Sequence, residues 1–434
     1  MLLIHVQQLT PRVMYSFKQV CKRILGLDVD FTSKIEAFIA HDGPKFSYGK
    51  QPLGKELYFQ SVDLLFEHGI TTSTIRVFNW DDTKCFFKVN HENSALPFDI
   101  FAASFYLLTR YEEYLPHVKD ELGRYNPKES IAFVNEFLRE PVVDIWAYRL
   151  KEVLLEKYPD LVFEKRSFSI QPVIKVSKTF VYLRIGILRS IWGSMKDLWS
   201  LEFSMVSDRF KVLMGFKKDP YDTFDFIIKL QKERPRDAVV FFGLGDFSNY
   251  EKNVNHNNPV HRRKIKHVAD YMRVGLRVSF EAILNKDQLK TEVRRLEHIS
   301  NRHVEHAQCA FYKIALPKAY RNFIDLEIQE DFSMGYRDYM GFRAGTCTPF
   351  LFYDLDYEVQ TPLLVHPFCF TNRSFENLKN EHQIKESLVV MMEKVKKVNG
   401  KFIPVFSNSL FSAMHGKPFW KSILQFIWNL EDER

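Results

Sequence analysis

Short apolar runs alternate with amphipathic segments from about residue 167 onwards, and this alternation constrains the fold more than any other feature of the chain. The run Ala238–Phe242 is entirely apolar, as expected of a strand that is buried on both faces. Asp222–Lys232 and Gln288–Ile299, on either side of it, read as helices. Repeated strand-then-helix units predict an α/β fold with a mostly parallel sheet, either open or closed into a barrel.

The carboxyl ends of the predicted strands are the places where ligands bind in such folds. Polar residues at these ends are therefore candidate site residues on position alone. They are Lys175, Ser177, Asp246, Arg277, Arg343, Ser407 and Asn408. Most of them are cations or serines, and the single acid is Asp246.

One of these candidates, Arg343, lies in the stretch Gly341–Asp356, between two glycines. Glycine permits close approaches and backbone angles that other residues resist, so the arginine is easily aimed at one place. A guanidinium held there can bind a carboxylate through two hydrogen bonds. A surface turn with a solvated arginine explains the same pattern equally well. Cys347 nearby has no evident histidine partner, and a packed cysteine explains it better than a nucleophile.

The length of 434 residues exceeds what one hydrophobic core usually serves and predicts two domains. The pattern changes near residue 165, so we place a smaller α+β domain at 1–165 and the α/β domain at 166–434. In the first domain, Asp99–Leu115 and Asp144–Lys157 read as helices. The hydrophobic share of 46% supplies enough apolar material for packed cores.

Charge and cysteine usage limit the partners and the compartment. The net charge of +7 is a mild excess, and only Leu188–Lys218 is both basic and aromatic, so no nucleic-acid partner is expected. Five widely spaced cysteines without a C-x-x-C pair favour a reducing compartment. The first residues do not read as a signal peptide, and no apolar run is long enough to span a bilayer. We therefore expect a cytoplasmic protein.

The spacing of acids and histidines predicts no metal cofactor. Hydrolysis of an amide by a single metal needs a carboxylate base and a small set of Asp and His ligands. His303 and His306 form a pair without a third ligand, and a solvated helix face explains them better. Lys175 and Arg277 in one mouth of a barrel would repel a divalent cation by an energy on the order of several kcal/mol.

Six stretches give the chain a resemblance to a known family. They are L-P-F-D-I-F-A-A-S-F-Y-L-L-T-R-Y-E-E-Y-L (Leu96–Leu115), P-V-V-D-I-W-A-Y (Pro141–Tyr148), D-P-Y-D-T-F-D (Asp219–Asp225), L-P-K-A-Y-R (Leu316–Arg321), E-D-F-S-M-G-Y (Glu330–Tyr336) and G-F-R-A-G-T-C-T-P-F-L-F-Y-D-L (Gly341–Leu355). The chain resembles bacterial proteins in which an uncharacterised N-terminal domain precedes a polysaccharide deacetylase-like domain. The resemblance implies a deformed (β/α) barrel, a carbohydrate or acetylated glycan as partner, and a divalent metal such as zinc.

The family's functional positions carry over poorly to this chain. Arg343 and Pro349 match the arginine and proline that orient the catalytic carboxylate in relatives. The other positions differ. Relatives carry D-x-D, G-I-H-P-S-Y, S-R-Q-H-F and H-N where this chain has Lys175–Ser177, Gly275–Phe280, Ala307–Phe311 and Ser407–Asn408. The resemblance therefore implies the fold and argues against the reaction.

These observations predict a polysaccharide deacetylase-like protein of carbohydrate metabolism that has lost its metal and acts by binding. Arg343 and Asp246 remain the candidate catalytic residues. We interpret four positions as lost site residues: Lys175, Ser177, Arg277 and Ser407. We expect one mouth of the barrel to bring together Lys175, Arg277, Arg343 and Ser407.

One alternative is an active metal-dependent deacetylase that uses a relocated set of acids: Asp246, Asp331, Asp354 and Asp356. Another is a scaffold that acts through its N-terminal domain.

Overall fold

The computed structural model describes residues 1–72, 74–183, 203–378, 380–412, 414 and 419–431. The first part of the chain forms a parallel sheet of four strands in the order β2-β1-β3-β4. Its strands, with the antiparallel hairpin β5-β6 that follows, are β1 (Leu2–Val6), β2 (Val29–Thr32), β3 (Lys45–Gly49), β4 (Leu57–Gln60), β5 (Phe78–Trp80) and β6 (Thr83–Cys85). The apolar run Leu2–Ile4 predicts a short first strand, and β1 confirms it.

Five α-helices accompany these strands in the described part of residues 1–165. They are α1 (Pro11–Phe17), α2 (Ile35–Ala40), α3 (Ile100–Leu108), α4 (Ile131–Val134) and α5 (Val142–Lys157). A π-helical segment (Lys18–Ile24) continues α1, and 3-10 turns lie at Tyr111–Glu113 and Pro127–Glu129. Helix α1 starts where Thr10 accepts a hydrogen bond from the amide of Val13 and Pro11 occupies the first turn.

Helix α3 is shorter than the sequence predicted. It was expected to reach Leu115, but it ends at Leu108. Arg110 adopts the left-handed conformation, with φ of 55°, and this reverses the chain before the 3-10 turn. The turn places the side chains of Glu112 and Glu113 beside the guanidinium of Arg110.

The second part of the chain contributes a nine-stranded sheet in the order β13-β14-β12-β11-β10-β9-β8-β17-β15. Neighbouring strands pair in parallel except for β13 and β14. This confirms the predicted α/β class with a mostly parallel sheet. The strands, with the separate parallel pair β7-β16, are β7 (Ser169–Ile170), β8 (Val173–Val176), β9 (Val239–Gly243), β10 (Arg273–Val278), β11 (His306–Cys309), β12 (Glu330–Asp331), β13 (Phe350–Asp354), β14 (Val359–Val365), β15 (Phe370–Thr371), β16 (Lys401–Phe402) and β17 (Pro404–Ser407).

Helices connect these strands, as the alternating pattern predicted. The described ones are α6 (Phe203–Leu213), α7 (Phe224–Glu233), α8 (Pro259–Ala269), α9 (Lys286–Ser300), α10 (Lys318–Asp325), α11 (Glu381–Lys397) and α12 (Phe419–Asn429), with 3-10 turns at Ala310–Tyr312, Asn372–Phe375 and Asn408–Phe411. Much of the basic, aromatic stretch Leu188–Lys218 lies outside the described residues. In the part of the chain that the structure describes, no helix has the length and apolarity needed to cross a membrane.

A small apolar cluster fills the concave side of the large sheet. It joins residues of the central strands β8, β9 and β17 to residues just after β11, β12 and β14. Its members are Val173, Val239, Phe241, Tyr312, Phe332, Phe368, Ile403 and Val405. The sheet therefore curves around this cluster. The strand order nevertheless has two edges, β13 and β15, so the closed barrel stays a prediction, as does the domain boundary near residue 165.

Candidate functional site

Three of the predicted site residues lie on the concave face at the carboxyl ends of adjacent strands. Ser407 pairs with Lys175 across β17 and β8, and Arg277 pairs with Gly243 across β10 and β9. Because side chains alternate along a strand, Lys175 shares the face of Val173 in the apolar cluster. Arg277 passes over Gly243, where a Cβ atom would lie 3.2 Å from its Nη1. The expected meeting of Lys175, Arg277 and Ser407 is thus present.

Lys175 carries a partly buried ammonium group that has no ion pair within the described residues. Its Nζ lies 4.8 Å from the centre of the Tyr312 ring, which is a cation–π contact. Burial lowers the pKa of Lys175 to about 7, and the charges of Arg277, Arg337 and Arg373 act in the same direction. The strand ends therefore form a cationic surface that lacks a compensating carboxylate at Lys175.

Tyr312 combines an unusual backbone with an unpaired hydroxyl group. Phe311 and Tyr312 are both in the left-handed region, each with φ of 56°, which costs non-glycine residues about 1–3 kcal/mol each. The Tyr312 Oη atom is buried and has no hydrogen-bond partner among the described residues. Native structures pair nearly all buried polar atoms, so an orphan phenol beside a strained backbone indicates a place for a ligand.

A cavity of about 170 Å³ lies beside this tyrosine, and we refer to it as the Tyr312 cavity. Its lining combines aromatic rings with charged groups, and includes Tyr125, Tyr312, Tyr336, Arg337, Asp338 and Arg343. Asp338 is shared among three arginines, at 3.9 Å from Arg124, 3.7 Å from Arg337 and 3.1 Å from Arg373. Arg124 also pairs with Asp120 at 2.7 Å and Arg373 with Glu376 at 3.0 Å, whereas Arg337 has the shared Asp338 as its one carboxylate partner among the described residues. Arg337 is therefore the least compensated of these guanidinium groups and favours an anionic or strongly polar ligand.

Arg343 lines the same cavity, but its guanidinium is occupied by an internal carboxylate. Its Nε and Nη2 lie 2.8 Å and 2.6 Å from the two carboxylate oxygens of Glu113, and both side chains are buried. Burial alone would raise the pKa of Glu113, but Arg343 and Arg110 lower it to about 2. The expectation that Arg343 holds a carboxylate is met within the chain itself. Arg343 shares the cavity lining with Tyr312, the ring over which Lys175 lies, and its place in the group with Lys175, Arg277 and Ser407 stays a prediction.

Asp246, the other candidate catalytic residue, lies apart from the concave face. Its exposed carboxylate is 3.0 Å from the guanidinium of Arg295 on α9. The chain leaves β9 at Gly243, and Asp246 has already turned towards the helix layer. Ser177, one residue beyond β8, is partly exposed. A role for Asp246 in catalysis stays a prediction, without geometric support from Lys175 or Arg277.

The relocated acids of the alternative hypothesis do not form a set. Asp331 is buried and accepts hydrogen bonds from Tyr320 and Ser333. Asp354 and Asp356 share the guanidinium of Arg321, at 2.6 Å and 3.0 Å. With Asp246 bound to Arg295, the four acids occupy three separate environments. The contacts of these four acids include none with Lys175, Arg277 or Ser407 among the described residues.

The sequence did not predict two buried acids that lie at this end of the sheet. Glu251 pairs with Arg277 at 2.7 Å through Oε2, while its Oε1 has no partner in the described residues. Glu292 on α9 accepts hydrogen bonds from the amide and hydroxyl of Ser279, and burial raises its pKa to about 7. Glu251 lies in an Asn-rich loop and Glu292 on a helix face, so neither offered a spacing signal.

The residues at the strand ends do not fit the divalent metal that the resemblance implies. Zinc sites use neutral histidines, thiolates and carboxylates, and here Lys175 and Arg277 take those places. Among the described residues, no three His, Cys, Asp or Glu side chains are grouped closely enough to hold a metal ion. His306 was expected on a solvated helix face, which is wrong, because it begins β11 and is 7% exposed.

The chain is similar to one family model and, at low identity, to several solved structures. A family model described as a family of unknown function (DUF7033) matches residues 2–159. No curated protein matches the chain. A polysaccharide deacetylase candidate from Mycobacterium smegmatis has 8% identity and a TM-score of 0.37, over 62% of this chain and 87% of that one.

Two other solved structures are similar at the same level. A CE4 family pseudoenzyme from Bacillus anthracis has 10% identity and a TM-score of 0.25, over 55% of this chain and 63% of that one. An allantoinase has 13% identity and a TM-score of 0.35, over 59% of this chain and 82% of that one. At these identities and TM-scores, the likeness assigns neither a reaction nor a ligand to this chain.

Proposed function

We propose that this chain is a polysaccharide deacetylase-like protein of carbohydrate metabolism that binds an acidic glycan and does not deacetylate it. The observation that carries the proposal is Lys175. This residue ends a central strand where a metal-dependent enzyme of such a fold would need an acid. Its ammonium lies over Tyr312, beside Arg277, without an ion pair in the described residues.

The ligand class follows from the chemistry of the Tyr312 cavity. Aromatic faces offer apolar contact to the C–H groups of a sugar ring, and a few fixed polar groups then select its orientation. Arg337 in the lining adds a planar fork that suits a carboxylate. Lys175 is not in the lining, but its ammonium lies over the ring of Tyr312 and adds a point charge beside the cavity. The unpaired hydroxyl of Tyr312 can donate to a sugar oxygen. A uronic acid unit would satisfy all three groups.

The proposal extends to the barrel, the domain boundary and the cellular location that the sequence predicts. We place a deformed (β/α) barrel at 166–434 and a separate N-terminal domain at 1–165. We also place the protein in the cytoplasm, which is supported by the five cysteines, since each is free and buried. We also propose that the protein binds no divalent metal, because the positive charge of the strand ends would repel such a cation.

Calorimetric titration with a galacturonic acid trimer and a neutral N-acetylglucosamine trimer tests this function. We expect the acidic trimer to bind and the neutral trimer to bind roughly tenfold or more weakly, because Lys175 and Arg337 act on charge. Arg337→Gln should weaken binding of the acidic trimer. Arg263→Gln, an exposed position on α8, is the matched control. Absence of binding by the acidic trimer, or equal effects of both substitutions, would contradict the proposal.

A further inference from the structure

A second cavity, of about 380 Å³, lies at the amino ends of β9, β10 and β12, next to the carboxyl end of β14, and we refer to it as the His366 cavity. Its lining includes Arg23, Arg273, Glu330, His366 and Lys401. Arg273 is the first residue of β10, whereas Arg277 of the other site is near its end. The two cavities are therefore at opposite ends of the sheet. Neither the proposed function nor the resemblance uses this end.

The charges around the His366 cavity are only partly compensated. Arg273 pairs with Asp237 at 2.6 Å and with Glu330 at 3.5 Å. Lys401 instead contacts a neutral group, with its Nζ 3.3 Å from Oε1 of Gln171. Arg23, which is exposed on the π-helical segment, has no ion pair within the described residues. Two cations at the cavity thus lack a carboxylate partner.

Two acids line this cavity, and both already have partners: Asp237 pairs with Arg273 and accepts a hydrogen bond from Gln171, and Glu330 has three neighbours. Glu330 Oε2 lies 3.2 Å from Nε2 of His366 and 3.4 Å from Nε2 of His306. Burial alone would raise the pKa of Glu330, but His366, His306 and Arg273 together lower it to about 2. Arg273 Nη1 donates to this carboxylate at 3.5 Å and also to Nε2 of His306 at 3.0 Å. Lys401 and Arg23 are therefore the cations of the cavity that have no ion pair among the described residues.

His366 gives an independent indication of a ligand. Its ring stacks on Phe332, with centroids 4.3 Å apart and an interplanar angle of 4°, and the residue is 3% exposed. Its buried Nδ1 has no hydrogen-bond partner in the described part of the chain. A buried, unpaired ring nitrogen in the wall of a cationic cavity calls for a hydrogen-bonding ligand or an ordered water.

We propose that the His366 cavity binds an oxyanion of the phosphate type, held between Lys401 and Arg23 with His366 behind it. The same lining contains Pro349 of the Gly341–Asp356 stretch and Arg166. A bound phosphate group would therefore contact the first part of the chain, the start of the sheet and that stretch together. Binding to the folded state alone stabilises that state in proportion to ligand occupancy.

Thermal unfolding in inorganic phosphate, compared with sodium chloride at equal ionic strength, tests this inference. Phosphate should raise the melting temperature of the wild type, and Lys401→Gln should lose most of that rise. Lys290→Gln, an exposed lysine on α9, should keep it. An equal response of Lys401→Gln and wild type, or no response at all, would overturn the proposal.

Two further arms keep the test decisive. If Lys401→Gln does not fold, Arg23→Gln replaces it, because that exposed side chain has no ion pair among the described residues. Retention of the full phosphate response by Arg23→Gln would then overturn the proposal. Glucose 6-phosphate separates the sources of the anion. A larger rise than with inorganic phosphate assigns a phosphate ester, and an equal rise assigns the free anion.

Discussion

Lys175 is a lysine whose charge changes near neutral pH, because burial and three neighbouring arginines lower its pKa to about 7. The protonation of Lys175 has opposite effects on the affinity for an anionic ligand and on the stability of the fold. An anionic ligand is attracted by the protonated form, which is populated below that pKa. In the unfolded chain the pKa is about 10.4, so the unfolded state binds more protons between about pH 7 and 10.4. The contribution of Lys175 to stability therefore improves as the pH rises through that window.

We predict that the affinity for the acidic trimer falls as the pH is raised from one unit below to one unit above the pKa of Lys175. The attraction between ammonium and carboxylate is lost on deprotonation. Lys175→Met should remove this pH dependence, and calorimetric titration at each pH measures it. Glu292, whose pKa is raised to about 7 by burial, also titrates in this range. An unchanged pH dependence in Lys175→Met would assign the effect to another group and contradict the account.

The pair Arg343–Glu113 is expected to hold two distant parts of the chain together. Glu113→Gln would leave Arg343 without its buried counter-charge, while Arg110 keeps Glu112, and loss of one partner of such a pair costs about 3–5 kcal/mol. Urea unfolding measures this loss, with exposed Glu121→Gln as the control at roughly 0.5 kcal/mol or less. A loss for Glu113→Gln no larger than that of the control would show that the pair is not structural.

The same pair gives a signed pH dependence. The pKa of Glu113 is lowered to about 2, against an unfolded value of about 4.3. Its contribution to stability is therefore fully present above the unfolded value and is lost as the pH falls through the folded one. Acid unfolding of Glu113→Gln should be less steep in this range than that of the wild type. Identical acid transitions of the two proteins would refute this assignment.

Among the secondary structure elements, the stability of helix α3 depends more on its N-cap residue, Asp99, than on the length of the helix. The Asp99 carboxylate accepts hydrogen bonds from the amides of Phe101, Ala102 and Val62 and from the hydroxyl of Tyr48, at 2.8–3.1 Å. It thus caps the helix and fixes a loop and a strand against it. The helix itself is buried along its whole length.

We predict that Asp99→Ala destabilises the protein by about 2–5 kcal/mol, since it removes a cap and leaves several buried donors unpaired. Asn258→Ala is the matched comparison, because Asn258 caps α8 through Val260 and His261 alone. That substitution should cost only about 1 kcal/mol. Chemical denaturation of both variants measures the two values. Equal losses would show that the additional hydrogen bonds of Asp99 contribute nothing.

The elements that sequence reasoning placed wrongly have local causes. The apolar pattern of Ser167–Val176 predicts a single strand, but the structure divides it at Pro172, which has no amide hydrogen to donate. The pattern of Phe402–Phe406 also predicts one strand, which the structure divides before Pro404. Periodicity predicts a helix from Lys264 to Met272, whereas α8 begins at Pro259 because Asn258 caps it. These boundaries follow turn chemistry, whereas the prediction followed hydrophobic periodicity.

On the scale of the whole molecule, the alternation of strands and helices was sufficient to predict the parallel sheet, and position on the strands brought Lys175, Arg277 and Ser407 together. The rest depends on contacts between residues far apart in the chain. Arg343 binds Glu113, which lies 230 positions earlier in the sequence, and no local sequence pattern predicts such a pair. Glu251, the partner of Arg277, and the amino-end group around His366 were missed for the same reason. The Tyr312 cavity, too, is assembled from three separate segments.

The central claim is that cations occupy the strand ends where a deacetylase would hold its metal. Its most direct test is the zinc content of purified wild-type protein after equilibrium dialysis against zinc, with acetate release from chitin-type oligomers measured on the same sample. The account predicts much less than one zinc per chain and no acetate above the background. One tightly bound zinc per chain, together with turnover that a chelator abolishes, would contradict it.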